Sequence, residues 1–223
     1  MTKQQFYPEL QHFFHFPSSV SIVSKPEFLD VVSEVANERL EEDRKLRPEL
    51  NDIYPVRMTG NIFDDPRVNE FVEFVGRSAA ETLAFQGYAT DNMGMFFTEM
   101  WVQEHHKHSL MEQHVHGAGS QMIGFYFLNA PENCSKAIFH DPRPGKVQTN
   151  LPEKDMEVAT FGSNMVHFTP APGMLMLANS WLPHSFSRHA SDEPLLFAHF
   201  NLGVQFMQTM SLPKIDYPQA EIV

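Results

Sequence analysis

Residues 114–128 read His-Val-His-Gly-Ala-Gly-Ser-Gln-Met-Ile-Gly-Phe-Tyr-Phe-Leu. In an extended chain successive side chains alternate between faces, so His114 and His116 point the same way and both imidazoles can reach one ion. Gly117 and Gly119 let the chain turn directly after the pair, and Met122–Leu128 follows as an apolar strand. Outward from this stretch, short segments rich in Phe, Met, Val, Ile and Leu recur, divided by Gly, Pro, Asn and Asp. They predict strands near 94–103, 111–116, 121–129, 136–140, 156–161, 164–169, 173–179, 184–189 and 195–206. A series of short strands with no helix between them makes a closed or sandwiched β architecture, of the jelly-roll or cupin kind.

Upstream of Gly87 the pattern is helical. Ser24-Lys25-Pro26-Glu27 has the form of a capping box with Pro in the first turn. Phe28, Val31, Val32, Val35, Ala36 and Leu40 then share one helical face. Asp65-Pro66 opens a second helix carrying Val68, Phe71, Val72, Val75, Ala79 and Leu83, which Gly87 stops. The segment between them, with Pro48, Pro55 and Gly60, reads as loop. The expected fold is therefore mainly β, with two N-terminal helices packed on one sheet. No repeat or linker divides the chain, so 1–223 is read as one domain: a support region at 1–90, a β core at 91–206 and a tail at 207–223.

Composition narrows the function. The formal charge of −12, with no cluster of Lys and Arg, argues against nucleic acid, which binds through basic patches. No run approaches the roughly 20 apolar residues that cross a bilayer, and Pro8 and Glu9 fall where a secretory leader needs an apolar stretch. Cys134 is the only cysteine, so no intrachain disulfide can form, which fits a reducing, cytoplasmic setting. Twenty Phe point to a packed interior, and 13 Met supply adaptable filler for it. A homodimer is the default expectation for an oligomer.

Of the 12 histidines, five fall between His105 and His116, so position decides which matter. His184, in Asn179-Ser180-Trp181-Leu182-Pro183-His184, follows the strand Met174–Ala178. In a β-helix that strand returns beside the first, which brings His184 to the third corner of a facial triad. Trp181 is expected beneath this ligand. His105, His106 and His108 read as a polar loop.

The stretch from His114 to Asn201 resembles the 2-oxoglutarate/iron(II) oxygenase family of bacteria and phages. The features that carry the resemblance, in order, are the His114-Val115-His116 motif, Gly124-Phe125-Tyr126-Phe127-Leu128, Asp141-Pro142-Arg143, the Pro170–Gly173 turn, Ser180-Trp181-Leu182-Pro183-His184 and the closing Phe200-Asn201. The resemblance implies a double-stranded β-helix that binds Fe(II) through His114, His116 and His184 and uses 2-oxoglutarate and molecular oxygen. The prime substrate would be a peptide side chain or small metabolite. Position 116 is usually Asp or Glu in the wider superfamily; a three-His site also suits zinc.

A second departure concerns the co-substrate. The family places an Arg about ten residues after the distal His to pair with the far carboxylate, and often a Tyr to assist. Here Pro194 and Phe127 stand in those places. Arg143 is the first candidate to replace the anchor, with Arg188, Lys146 and His199 behind it. Tyr126 is read as a co-substrate pocket residue or as core filling, and Asn201 as a hydrogen bond behind the ligands or as satisfying the strand-end backbone. The alternatives are a three-His cupin-type dioxygenase or zinc hydrolase that dispenses with the keto acid, and a non-catalytic β-helix module.

Overall fold

Val20–Ser24 forms a strand, β1, which ends on the serine expected to cap the first helix. The capping-box reading is therefore corrected. The helix is entered through a 3-10 turn at Pro26–Phe28, and Lys25 stands at its head without a side-chain cap. The structure, a computed structural model, describes residues 15–117, 119–148 and 151–207. Residues 1–14 of the expected support region, Ala118 and residues 208–223 of the expected tail lie outside the described residues.

Helix α1 runs Leu29–Leu46 and buries Val32, Val35, Ala36 and Leu40. The supposed loop after it contains a short strand, β2, at Val56–Met58. Asp65 accepts a hydrogen bond from the Arg67 backbone N–H at the start of the second helical segment, as an N-cap does. Helix α2 follows at Asn69–Phe85. Gly87, at φ 95°, then takes the chain into a conformation that favours glycine.

The remaining strands are β3 (Met93–His105), β4 (Met111–His114), β5 (Ser120–Asn129), β6 (Ala137–His140), β7 (Met165–Phe168), β8 (Met174–Asn179), β9 (His184–Phe186) and β10 (Leu195–Phe206). They form a six-stranded sheet in the order β1-β8-β5-β10-β3-β2 and a four-stranded sheet in the order β4-β9-β6-β7. Every pairing is antiparallel. The strand expected at 156–161 does not form. The segment joins neither sheet, and Met156 and Phe161 are 83% and 77% exposed.

Strand β5 explains why its sequence is apolar without alternation: both of its faces are covered. Met122, Tyr126 and Leu128 pack toward the helices with Val35, Phe71, Val75 and Phe200. Ile123, Phe125 and Phe127 pack between the two sheets with Phe139, Met176, Phe186 and Phe197. Gly124 lies opposite Phe200 in the β5–β10 ladder, and a methyl group there would run into the Phe200 ring. Two apolar layers thus flank one sheet, and the helical layer braces the face away from the barrel interior.

Candidate metal centre

His114 ends β4 and His184 begins β9, and the two are paired in register across the small sheet. His116 lies two residues beyond the strand end, where its backbone N–H donates to the Ser180 carbonyl at 2.9 Å and prolongs the pairing. The ring centroids of His114 and His184 are 4.4 Å apart, those of His114 and His116 5.1 Å, and those of His116 and His184 5.2 Å. One nitrogen from each ring lies within 4.8 Å of the other two, the spacing of groups that share one ion.

The tautomers are set by the backbone. His114 Nδ1 bonds the Glu112 carbonyl at 2.8 Å, and His184 Nδ1 bonds the Leu182 carbonyl at 3.1 Å. A carbonyl only accepts, so each Nδ1 carries the proton and each Nε2 offers a lone pair. His184 Nε2 is buried and has no hydrogen-bond partner among the described residues. A buried polar atom of that kind ordinarily has one, and a cation supplies what the chain does not. Burial, opposed by the Leu182 carbonyl and aided by the neighbouring imidazoles, depresses the His184 pKa to about 3. His116 is lowered by burial and by His114. Neutral imidazoles are the form that ligates metal. The donor set therefore fits an ion such as Fe(II) or Zn(II).

Around the triad, Phe125 meets the His184 ring edge-on at 5.6 Å. Asn201 lies near enough to His116 to raise its basicity, and its Nδ2 donates to Glu99 Oε2 at 2.9 Å, although its own Oδ1 closes no hydrogen bond. The structure places Asn201 at the back of the cluster. Tyr126 is elsewhere. It faces the helices, packs at a tilt on Phe71 with ring centroids 4.7 Å apart and donates to the Lys25 carbonyl at 2.7 Å. Its assignment to the co-substrate pocket is corrected by strand parity: Phe125 and Phe127 take the barrel side, which leaves Tyr126 the other.

Arg143 is 60% exposed, and its guanidinium is engaged by the Asp141 carboxylate at 2.6 Å. It lines a cleft of about 350 Å³ with Phe139, His140, Met165 and Leu182, and none of the three imidazoles lines that cleft. Arg188 is exposed beside His108, and Lys146 is bound to Gly162 and Asn164. Arg57 is the only buried Lys or Arg among the described residues, and it pairs with Asp43 and Glu104 behind the large sheet. The wall beyond the triad is apolar: Phe186 stacks on Phe197 at 4.9 Å, and Phe127 packs on Phe197 at 5.5 Å. Trp181, expected beneath His184, is 48% exposed and borders a groove with Tyr88, Met93 and Phe206.

Two features escaped the sequence, and a third, His199, was weighed only as a co-substrate anchor. His105 was read as loop but is fully buried on β3, held by Gln103 at 2.9 Å between Phe186 and Phe197. The Trp101 indole N–H is buried without a hydrogen-bond partner among the described residues. His199 is buried against His116, with 3.4 Å between their Nε2 atoms. A parity count back from Asn201 along the last strand is the signal that would have put His199 beside the ligands.

Two antiparallel sheets with three imidazoles where β4 and β9 meet define a metal-binding double-stranded β-helix, the fold expected from the sequence. Residues 99–201 match the family model described as "Putative 2OG-Fe(II) oxygenase". The solved structure of a Pseudomonas putida prolyl-4-hydroxylase is 13% identical over 82% of this chain and 92% of that one, with a TM-score of 0.53. AviO1 from Streptomyces viridochromogenes Tue57 is 12% identical over 83% and 90%, at 0.57. HygX from Streptomyces hygroscopicus, solved with nickel and 2-oxoglutarate bound, is 12% identical over 83% and 82%, at 0.51. At such identities the likeness is one of fold. A comparison with curated protein sequences gives no significant match. No helix among the described residues is long and apolar enough to cross a membrane.

Proposed function

We propose that the protein is an Fe(II)- and 2-oxoglutarate-dependent oxygenase acting on a small molecule or a peptide side chain, with His114, His116 and His184 as the metal ligands. The observation that carries this is the convergence of three imidazole nitrogens within 4.8 Å, one of them buried and unpartnered, inside the region that matches the family. Iron with a 2-oxo acid and oxygen supplies an oxidant able to attack an unactivated C–H bond.

The chain's own contribution is to hold and to shield. The Glu112 and Leu182 carbonyls orient two of the ligating rings. Asn201 and Glu99 stand behind the third. Phe125, Phe139 and Leu182 keep water from the inner side of His184, which is 1% exposed. We read the chain as one domain, a reading supported by the single inter-sheet core to which both sheets contribute. The lone thiol, Cys134, its pKa raised by burial, is in keeping with a cytoplasmic protein.

The triad offers a 2-oxo acid its chelating cation, but among the described residues no Lys or Arg enters the barrel to meet a far carboxylate. The residues thus fit the metal, and only the metal-binding end of the acid. That observation favours one alternative, a three-His metalloenzyme that works without a keto acid. Anaerobic titration with Fe(II) and then 2-oxoglutarate decides between them. A metal-to-ligand charge-transfer band, followed by succinate formation in air, is the expected result. Full iron loading with no band at saturating acid would transfer the assignment to the three-His alternative.

A further inference from the structure

The reading above uses three of the four histidines grouped at the barrel end and leaves His199 without a task. His199 lies on β10 and is 1% exposed. Phe125 stacks on its ring at 4.6 Å with 19° between the planes, and Trp101 meets it edge-on at 4.4 Å. Its Nδ1 donates to the Gly124 carbonyl at 2.9 Å, which fixes the tautomer and leaves a lone pair on Nε2. His116 Nε2 lies 3.4 Å from that lone pair.

Two arrangements satisfy this pair. Without a metal, His116 donates an Nε2–H to His199. With a metal on His116 Nε2, that proton is gone and His199 faces a ligating nitrogen with nothing to accept from. The ring is not free to turn away, because two aromatic walls and a backbone carbonyl hold it. Buried acceptors in folded proteins are satisfied, by solvent or ligand where the chain provides no donor. His199 is also not grouped with the three nitrogens that lie within 4.8 Å of one another, so it stands beside the coordination sphere.

We propose that His199 is a positioning residue whose Nε2 accepts a hydrogen bond from a water ligand held on the metal next to His116. The proposal rests on the metal reading above and adds a consequence to it. The carboxylate and oxo oxygens of a 2-oxo acid carry no proton to donate. A bound 2-oxo acid would therefore be turned away from His199, and the side of the site facing His199 would be left to a protic ligand. The acid's orientation would then be set by this chain's own β10 residue.

The test compares wild type with His199→Phe, which keeps the aromatic packing and loses both nitrogens, and with His199→Gln, which restores an acceptor. Exchange of metal-bound water is read from oxygen-17 relaxation on Mn(II)-loaded protein, with and without 2-oxoglutarate. In the Phe variant exchange is expected to speed up by about tenfold or more, and in the Gln variant to return toward wild type. One Mn(II) per chain is expected throughout, and calorimetry on Ni(II)-loaded protein should show 2-oxoglutarate affinity altered by less than about threefold. If the Phe variant does not fold, His199→Leu carries the same expectation.

Equal exchange rates in wild type and Phe variant, with metal bound in both, would overturn the role of His199 and leave the metal reading standing. Loss of metal from both variants would make His199 a ligand instead and also overturn it. A wild-type protein that takes up neither Mn(II), Ni(II) nor Fe(II) would remove the metal reading, and this inference with it.

Discussion

His114 and His184 are cross-strand partners in the β4–β9 ladder, with ring centroids 4.4 Å apart. The centre is thus founded on sheet register rather than on loop conformation. A one-residue slip would turn one of the two rings to the other face. His116 depends on the same frame, through its backbone bond to Ser180.

Removing one corner should therefore empty the site without unfolding the protein. His114→Ala, on the more accessible ring, is expected to lower metal affinity by about 100-fold or more. Metal analysis after dialysis, beside a thermal melt of the apo protein, is the check. A variant that retains one ion per chain at wild-type affinity would remove His114 from the ligand set.

Metal should stabilise the fold by mass action. At a free metal concentration of about 100 times Kd the gain is about 2.7 kcal/mol. In a chain of this length that corresponds to a rise in Tm of about 5–10 °C. Melts with Fe(II), Zn(II) and chelator should show it in wild type and not in His184→Ala. No shift with any divalent ion would count against a metal centre.

Acid should weaken the protein early. His184 and His105 each have a folded-state pKa of about 3, both held down first by burial, and His199 is lowered well below its ordinary value for the same reason. In the unfolded chain these groups bind protons near pH 6.5. Between about pH 6.5 and 3 the unfolded state thus holds more protons, and stability falls with falling pH at up to about 1.4 kcal/mol per unit for each group. Above about pH 6.5 the three contribute no slope. Denaturant midpoints from pH 8 to about 5 would test this, and His105→Gln should flatten the acid limb by about one proton. A midpoint constant across that range would contradict buried neutral imidazoles.

Tyr126 should matter to stability alone. Tyr126→Phe removes the bond to the Lys25 carbonyl and is expected to cost about 0.5–1.5 kcal/mol. Metal content and 2-oxoglutarate affinity should not change. A selective loss of co-substrate binding would return Tyr126 to the pocket.

Local pattern carried much of this protein. The apolar run through Met122–Leu128, the glycines after His116 and the Asp65-Pro66 helix start all describe elements that form. Period alone could not say which face of β5 meets the barrel, because both faces are apolar and buried. Tyr126 was therefore assigned across the sheet from where it lies. Short β1 and β2 were missed because each is stabilised by a distant partner, β8 and β3 respectively. The 156–161 segment has strand-like residues but no ladder to join.

The sequence by itself determined the strand-rich fold, the two bracing helices and the three histidines, since alternation, turn residues and motif order are local properties of the chain. Tertiary structure alone decided that His184 lies opposite His114, that Arg143 is tied to Asp141 on the surface, and that His199 is pressed against His116. For the two histidine pairs the physical reason is that such neighbours are made by bringing together strands some 70 or more residues apart in the chain. No local preference encodes the register of a ladder until both of its strands are in place.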